Sequence, residues 1–251
     1  EQCNFTTVPD LMEFIRTDHP ATDRFSMGPL KLLGDGALGA RTAFLSRPYA
    51  DEPGTRGLSV FTVAQFDELI GTAHAHGMQV AVHCIGDACL DLVLDAIEKA
   101  QTAHPRADAR HGIVHCQISR PDQLRRIAKG KLHVYAQSIF LDYDIHIVHE
   151  RAGDELAATS YSWKTLLDTG ATVSNGSDCP VEAPDVLAGI QCAVTRQDLH
   201  GCAPYLPQEA FDLKEALNSF TQAGAFASFE EHTKGRIAPG HFADFDKGTM
   251  T

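Results

Sequence analysis

The sequence predicts an α/β protein with a mostly parallel sheet, patterned like a metal-dependent (β/α) barrel, and three segments carry that reading. Val80, Ala81 and Val82 run into His83, then Cys84, Ile85, Gly86 and Asp87. Gly112, Ile113 and Val114 run into His115. Thr172, Val173 and Ser174 run into Asn175, Gly176, Ser177 and Asp178. Each is a short apolar, β-branched run ending in a metal-capable or acid–base side chain, followed by turn residues and a helical pattern. His, His and Asp at the ends of successive strands suit a metal centre at the mouth of a barrel. Imidazole supplies neutral nitrogen to a borderline metal, and a late aspartate can supply oxygen or take a proton from an attacking water.

The remaining elements follow the same alternation. A strand is expected over 29–33, followed by a long Gly/Pro-rich segment, 34–55, whose length marks it as functional rather than a simple connector. Thr62 opens a helix to Ala75 with Val63, Phe66, Leu69, Ile70 and Ala73 at helical spacing, and Gly77 ends it. A strand over 79–83 and a helix over 87–103 come next, the latter carrying Leu90, Val93, Leu94 and Ile97 on one face and capped by Asp87. A strand over 112–116 leads to a helix capped by Ser119, and a strand over 132–138 ends near Gln137. Residues 142–154 are polar and read as loop. A short helix over 162–169 precedes the last strand, 171–174, and helices follow over 185–195 and 213–229. Five strands, each with a helix, give the α/β class. A complete eight-stranded barrel takes roughly 250 residues, so either the barrel is incomplete here or the sheet is open.

Composition excludes some partners. The 251 residues are 43% hydrophobic and 22% charged, as in an ordinary globular protein. A net charge of -12 argues against nucleic acid or an anionic membrane surface. No apolar stretch approaches the ~20 residues of a membrane span. Seven cysteines without a CxxC pair read as reduced thiols, which suits a cytoplasmic protein. The GxGxxG after the first strand, Gly34 to Gly39, leads into a long Gly/Pro-rich segment rather than opening a helix, which weakens a doubly wound nucleotide-binding fold.

Laid end to end, these residues resemble the amidohydrolase superfamily, specifically its YtcJ-like group (amidohydrolase family 3). The matching stretches are Lys31 with Asp35, Gly36, Arg41, Thr42 and Ala43; His83 with Gly86 and Asp87; Arg110 through His115; and Gly176, Ser177, Asp178, Pro180 and Val181. A late run from Lys234 and Gly235 to Pro239, Gly240, Ala243 and Asp244 resembles the family's return from its barrel to a small β-sandwich domain. The resemblance implies a TIM-like (β/α)8 barrel represented by strands 4–8, with residues 1–240 as the partial catalytic barrel and 241–251 as the start of the return. It implies Lys31, His83, His115 and Asp178 as metal ligands, with Lys31 carboxylated in many relatives and bridging two ions. Asp178 would also be the catalytic base. A lysine carbamate turns a cation into an oxygen ligand, so one or two divalent ions, zinc foremost, are expected.

Two positions depart from the family pattern. The first-strand His-x-His pair has no counterpart at a strand end, since His74 and His76 fall in a helix and read as solvent-facing. The resemblance therefore implies a chain that starts after the third barrel strand. Val114 stands where the family usually has Glu.

Asp35, Arg41 and Gln137 are candidate substrate contacts at the mouth, and Arg110 pairs either with a carboxylate or with a substrate acid. The expected activity is hydrolysis of an amide-like C–N bond outside peptides, in an N-acyl, N-formyl or cyclic amide, by metal-activated water. The expected partner is a small-molecule substrate, with a homodimer left open. The competing class is a catalytically incomplete barrel or binding protein that retains the fold.

Overall fold

The computed structural model describes residues 2–22 and 25–243. Its centre is a five-stranded parallel sheet in sequential order: β1 (Leu30–Leu33), β2 (Val80–Cys84), β3 (Gly112–His115), β4 (His133–Ala136) and β5 (Thr172–Asn175). Each strand pairs in parallel with the next, and among the described residues no strand is inserted out of order. A doubly wound sheet reverses its order at a switch point, so this order is that of a barrel wall. The chain forms a partial TIM-like barrel.

The two faces of the sheet differ. Leu30, Leu32, Val80, Val82, Cys84, Ile113, Val134, Ala136 and Val173 are almost fully buried on the outer face. There they pack in one core with α2 (Val63–Ala75), α3 (Asp87–Ala103), α4 (Pro121–Lys129) and α7 (Trp163–Asp168). The register places Lys31, Leu33, Ala81, His83, Gly112, Val114, His133, Tyr135, Thr172 and Ser174 on the opposite, luminal face. That face is more open, and Leu33 is 49% exposed. Cys3 covers part of the β1 edge, donating to Pro29 O and accepting from Lys31 N.

Most elements arise as their sequence dictates. Helix α2 begins at a full capping box between Thr62 and Gln65, and Gly77 follows its C-cap with φ 81°. Helix α3 spans the residues expected, but its cap is Gly86, not Asp87. The buried Asp87 carboxylate instead accepts from Ser46 N and pairs with Arg120. Helix α4 is capped by Arg120 rather than Ser119, because Pro121 takes the first helical position.

Other expectations are corrected. Residues 142–154 are largely helical, in α5 (Leu141–Asp144) and α6 (Val148–Ala157); Gly153, with φ 76°, interrupts the second. After α8 (Val186–Thr195), the helix expected over 213–229 is two, α9 (Leu213–Ser219) and α10 (Gln222–Ala227), broken at Thr221. Helix α1 (Val8–Arg16) was not anticipated. The last residues of the expected return to a second domain, 244–251, lie outside the described residues. No helix among the described residues is long and apolar enough to cross a membrane.

Candidate metal centre

The long segment after β1 folds back over the C-terminal ends of the strands. Asp35 anchors it: its carboxylate accepts from Phe44 N, Ile85 N and Gly86 N. Gly86 is required there, since a Cβ would lie 2.1 Å from Phe44 O. Burial pushes the Asp35 carboxyl up to about 7, against the pull of those three N–H donors. With its side chain enclosed and 3.4 Å from His83 Nε2, Asp35 braces the site from behind. Arg41, at φ 57°, forms an ion pair with Asp51 on the surface of the same segment.

His83 points from β2 into the lumen. Its Nε2 lies 3.0 Å from Gly36 O. A carbonyl only accepts, so Nε2 carries the proton and Nδ1 keeps its lone pair. His115 sits one strand over. Its register partner is Cys84, so regular alternation would turn it toward the helices. Instead His115 and Cys116 adopt φ of 75° and 52°, and the His115 ring stands 4.4 Å from that of His83. Left-handed backbone at non-glycine residues costs of order 1–3 kcal/mol each and persists where the surroundings over-determine it.

Three groups do so here. Trp163 Nε1 donates to His115 O at 3.0 Å. Phe140 stacks on the ring. Gln137 Oε1 lies 2.7 Å from Nδ1, and the other end of that amide donates to Tyr135 O, which fixes its orientation. His115 therefore carries its proton on Nδ1 and keeps the Nε2 lone pair. The two rings present opposite nitrogens, neither with a hydrogen-bond partner among the described residues. Burial lowers both pKa values, that of His115 to about 3 with help from His83, so both rings are neutral at physiological pH. Neutral imidazole held by a partner on its far nitrogen is the form that ligates metal.

Lys31 shares this luminal face. Burial lowers its pKa, opposed by the Asp178 carboxylate, which also acts on His83. Asp178 follows β5 at φ 55°, exposed at the mouth. Lys31, His83, His115 and Asp178 thus gather at one end of the sheet, while Gln137 holds His115 rather than facing the opening. Among the described residues no three His, Cys, Asp or Glu side chains come together as a metal cluster. The donors fit a divalent ion in kind but supply two of the three protein ligands usual at a catalytic zinc.

A cavity of about 220 Å³ opens beside this pair, walled in part by Phe140, Ile85 and Gln117. Sequence reasoning assigned no role to Trp163, Phe140, Gln117 or Asp144. Only position two residues past each strand-end histidine could have flagged Ile85 and Gln117. A larger cavity of about 870 Å³ lies at the other end of the strands, near His111, Leu132 and Thr172. Barrel chemistry sits at the C-terminal ends of the strands, so the smaller cavity is the relevant one. Arg110, at the far end, forms ion pairs with Asp108 and Glu231 and lies over the Phe226 ring, a structural role.

A family model described as the amidohydrolase family matches residues 4–245. YtcJ of Bacillus subtilis (strain 168), an amidohydrolase by name, is 36% identical over 241 residues, 90% of this chain and 45% of that protein. The N-substituted formamide deformylase of Arthrobacter pascens is 27% identical over 189 residues, 75% of this chain and 34% of that protein. The crystal structure of an uncharacterized metal-dependent hydrolase from Pyrococcus horikoshii OT3 has a TM-score of 0.82 at 33% identity, over 94% of this chain and 47% of that one. The chain spans less than half the length of each of these relatives.

Proposed function

The chain belongs to the amidohydrolase family, and on that premise we propose that the protein is a metal-dependent hydrolase of an amide-like C–N bond. The observation that carries this reading is the His83–His115 pair, two neighbouring neutral rings in each of which one nitrogen is tied down and the other is unspent. His83, His115, Lys31 and Asp178 would hold one or two divalent ions, zinc among them. A carbamate on Lys31 would add the missing oxygen ligand. Forming it by addition of carbon dioxide needs the neutral amine, which burial of Lys31 favours. When bound, the ion supplies Lewis acidity toward the amide carbonyl and acidifies the attacking water.

Asp178 takes the proton from that water and hands it to the departing nitrogen, which leaves poorly unless protonated. N-acyl, N-formyl and cyclic amides all fit this chemistry. The name of the Arthrobacter pascens relative favours an N-substituted formamide as first trial. The competing reading, a catalytically silent barrel, draws on the absence of a three-ligand cluster among the described residues. Elemental analysis of the purified protein separates the two. One or two equivalents of a divalent ion, with formate release from an N-substituted formamide, supports the hydrolase; no retained ion and no release supports the silent barrel.

A further inference from the structure

The cavity beside His115 has a definite chemistry. Leu38, Ile85, Phe140 and Val181 give it apolar walls, and Asp144 and Glu182 bring two carboxylates to it. No lysine, arginine or histidine lines it. Phe140 both lines the cavity and stacks on His115, so an occupant lies next to the candidate metal centre. A dry cavity of about 150 Å³ accommodates benzene. At about 220 Å³ this one admits a ring-sized group with one polar substituent.

Asp144 is built in rather than merely nearby. Its Oδ2 accepts from Gln117 Nε2 and, at 2.9 Å, from the buried Tyr161 hydroxyl. These come from the loop after β3 and the turn before α7, and together they fix the carboxylate. Oδ1 makes no hydrogen bond among the described residues. A fixed, mostly buried carboxylate with a spare oxygen, beside a second carboxylate and no cation, repels anions and favours a charged donor.

We propose that this cavity is a specificity pocket for a compact apolar substrate group bearing an ammonium, read by Asp144 and assisted by Glu182. The proposal rests on the hydrolase reading only for calling the occupant a substrate. Burial, reinforced by Glu182, pushes the Asp144 carboxyl up to about 6. An ammonium would hold it ionised, and binding should weaken below that pH.

The test is equilibrium binding of benzylammonium, benzyl alcohol and phenylacetate to the metal-loaded protein at pH 8, by calorimetry. Benzylammonium is expected to bind at least about 10-fold more tightly than benzyl alcohol, and phenylacetate more weakly than either, the scale of one charge-assisted hydrogen bond. Asp144→Asn should lower benzylammonium affinity about 10-fold or more and change benzyl alcohol less than about 2-fold. Glu182→Lys, at the partly exposed rim, keeps the test decisive if Asp144→Asn does not fold, and should shift preference toward phenylacetate. Equal binding of the three probes, or unchanged benzylammonium affinity in both variants, overturns the proposal. Hydrolysis of N-cyclohexylformamide is followed in parallel. Selective binding without turnover leaves the pocket standing and counts against the hydrolase; turnover without selectivity does the reverse.

Discussion

Among the described residues two pairs of neighbouring histidines stand one at each end of the sheet, and they differ in how their ring nitrogens are used. At the C-terminal end His83 and His115 stand 4.4 Å apart, ring to ring; at the other end His74 and His111 stand 5.0 Å apart. Burial depresses one member of each pair to about 3, His115 above and His111 below. Neither burial nor a perturbed pKa tells the pairs apart. Hydrogen-bond accounting does. Val80 N donates to His111 Nδ1, His111 Nε2 donates to His74 Nδ1, and His74 Nε2 donates to His104 O. Every ring nitrogen below is used, in a chain consistent only with two neutral rings. Above, one nitrogen of each ring is left over. A spent pair is architecture, and a pair with spare lone pairs is the candidate for the proposed metal centre.

The largest effect expected at the upper end is chemical. Asp178→Asn keeps size and much of the hydrogen bonding but removes the base, and kcat should fall at least about 10²-fold with metal retained. Near-normal turnover of an amide substrate by that variant would reject Asp178 as the base. Loss of metal with activity would make it mainly a ligand. Next is Gln137→Ala, which frees the His115 ring to change tautomer. Metal affinity, read by chelator competition, should drop about 10–100-fold, the range for groups that orient ligands. An unchanged affinity would leave Gln137 without a positioning role.

The lower pair should answer in stability instead. His111→Ala strands the Val80 N–H and His74 Nδ1, at about 1–3 kcal/mol for each buried group left unsatisfied. Chemical denaturation should show that loss while metal content stays put. The pH response is smaller again. Burial pulls the folded pKa of His111 to about 3, below the unfolded value of about 6.5. The stability it contributes as a neutral ring is complete above about pH 6.5 and drains away as pH falls toward 3. His133, depressed by burial to about 4, acts in the same sense. Asp35 and Asp144, raised by burial to about 7 and about 6, act oppositely, gaining as pH falls from 7 toward the unfolded value of about 4. Replacing His111 by Gln should therefore remove up to about 1.4 kcal/mol of acid destabilisation per pH unit between pH 6 and 4. An identical pH slope in that variant would contradict a buried neutral His111.

Local signals made much of this legible. Apolar runs with turn chemistry marked all five strands, and Thr62 announced the start of α2. Strand ends also nominated His83, His115 and Asp178 as neighbours in space. What was not legible depends on residues far apart in the chain. His74 reads as a solvent-facing helix residue until His111, 37 positions on, is found against it. His115 belongs to the outer face by alternation, and only its left-handed backbone brings it to His83. Gln137 looked like a substrate contact because it ends a strand, but its amide is committed to His115 and Tyr135. The pocket at Asp144 draws on the segments after β1, β2, β3, β4 and β5, none informative alone. Residues 142–154 hid their helices because polar side chains and Gly153 break the apolar period.

The most direct test compares the pairs themselves. Zinc retained after dialysis is measured for the wild type, for His83→Ala with His115→Ala, and for His74→Ala with His111→Ala. With soluble, folded protein in each case, the upper double variant should keep less than about a tenth of the wild-type metal, as expected when two of the metal's protein ligands are removed. The lower one should keep nearly all of it despite lower stability. Equal retention in the two variants, or loss confined to the lower pair, would contradict the assignment of His83 and His115 as the metal centre.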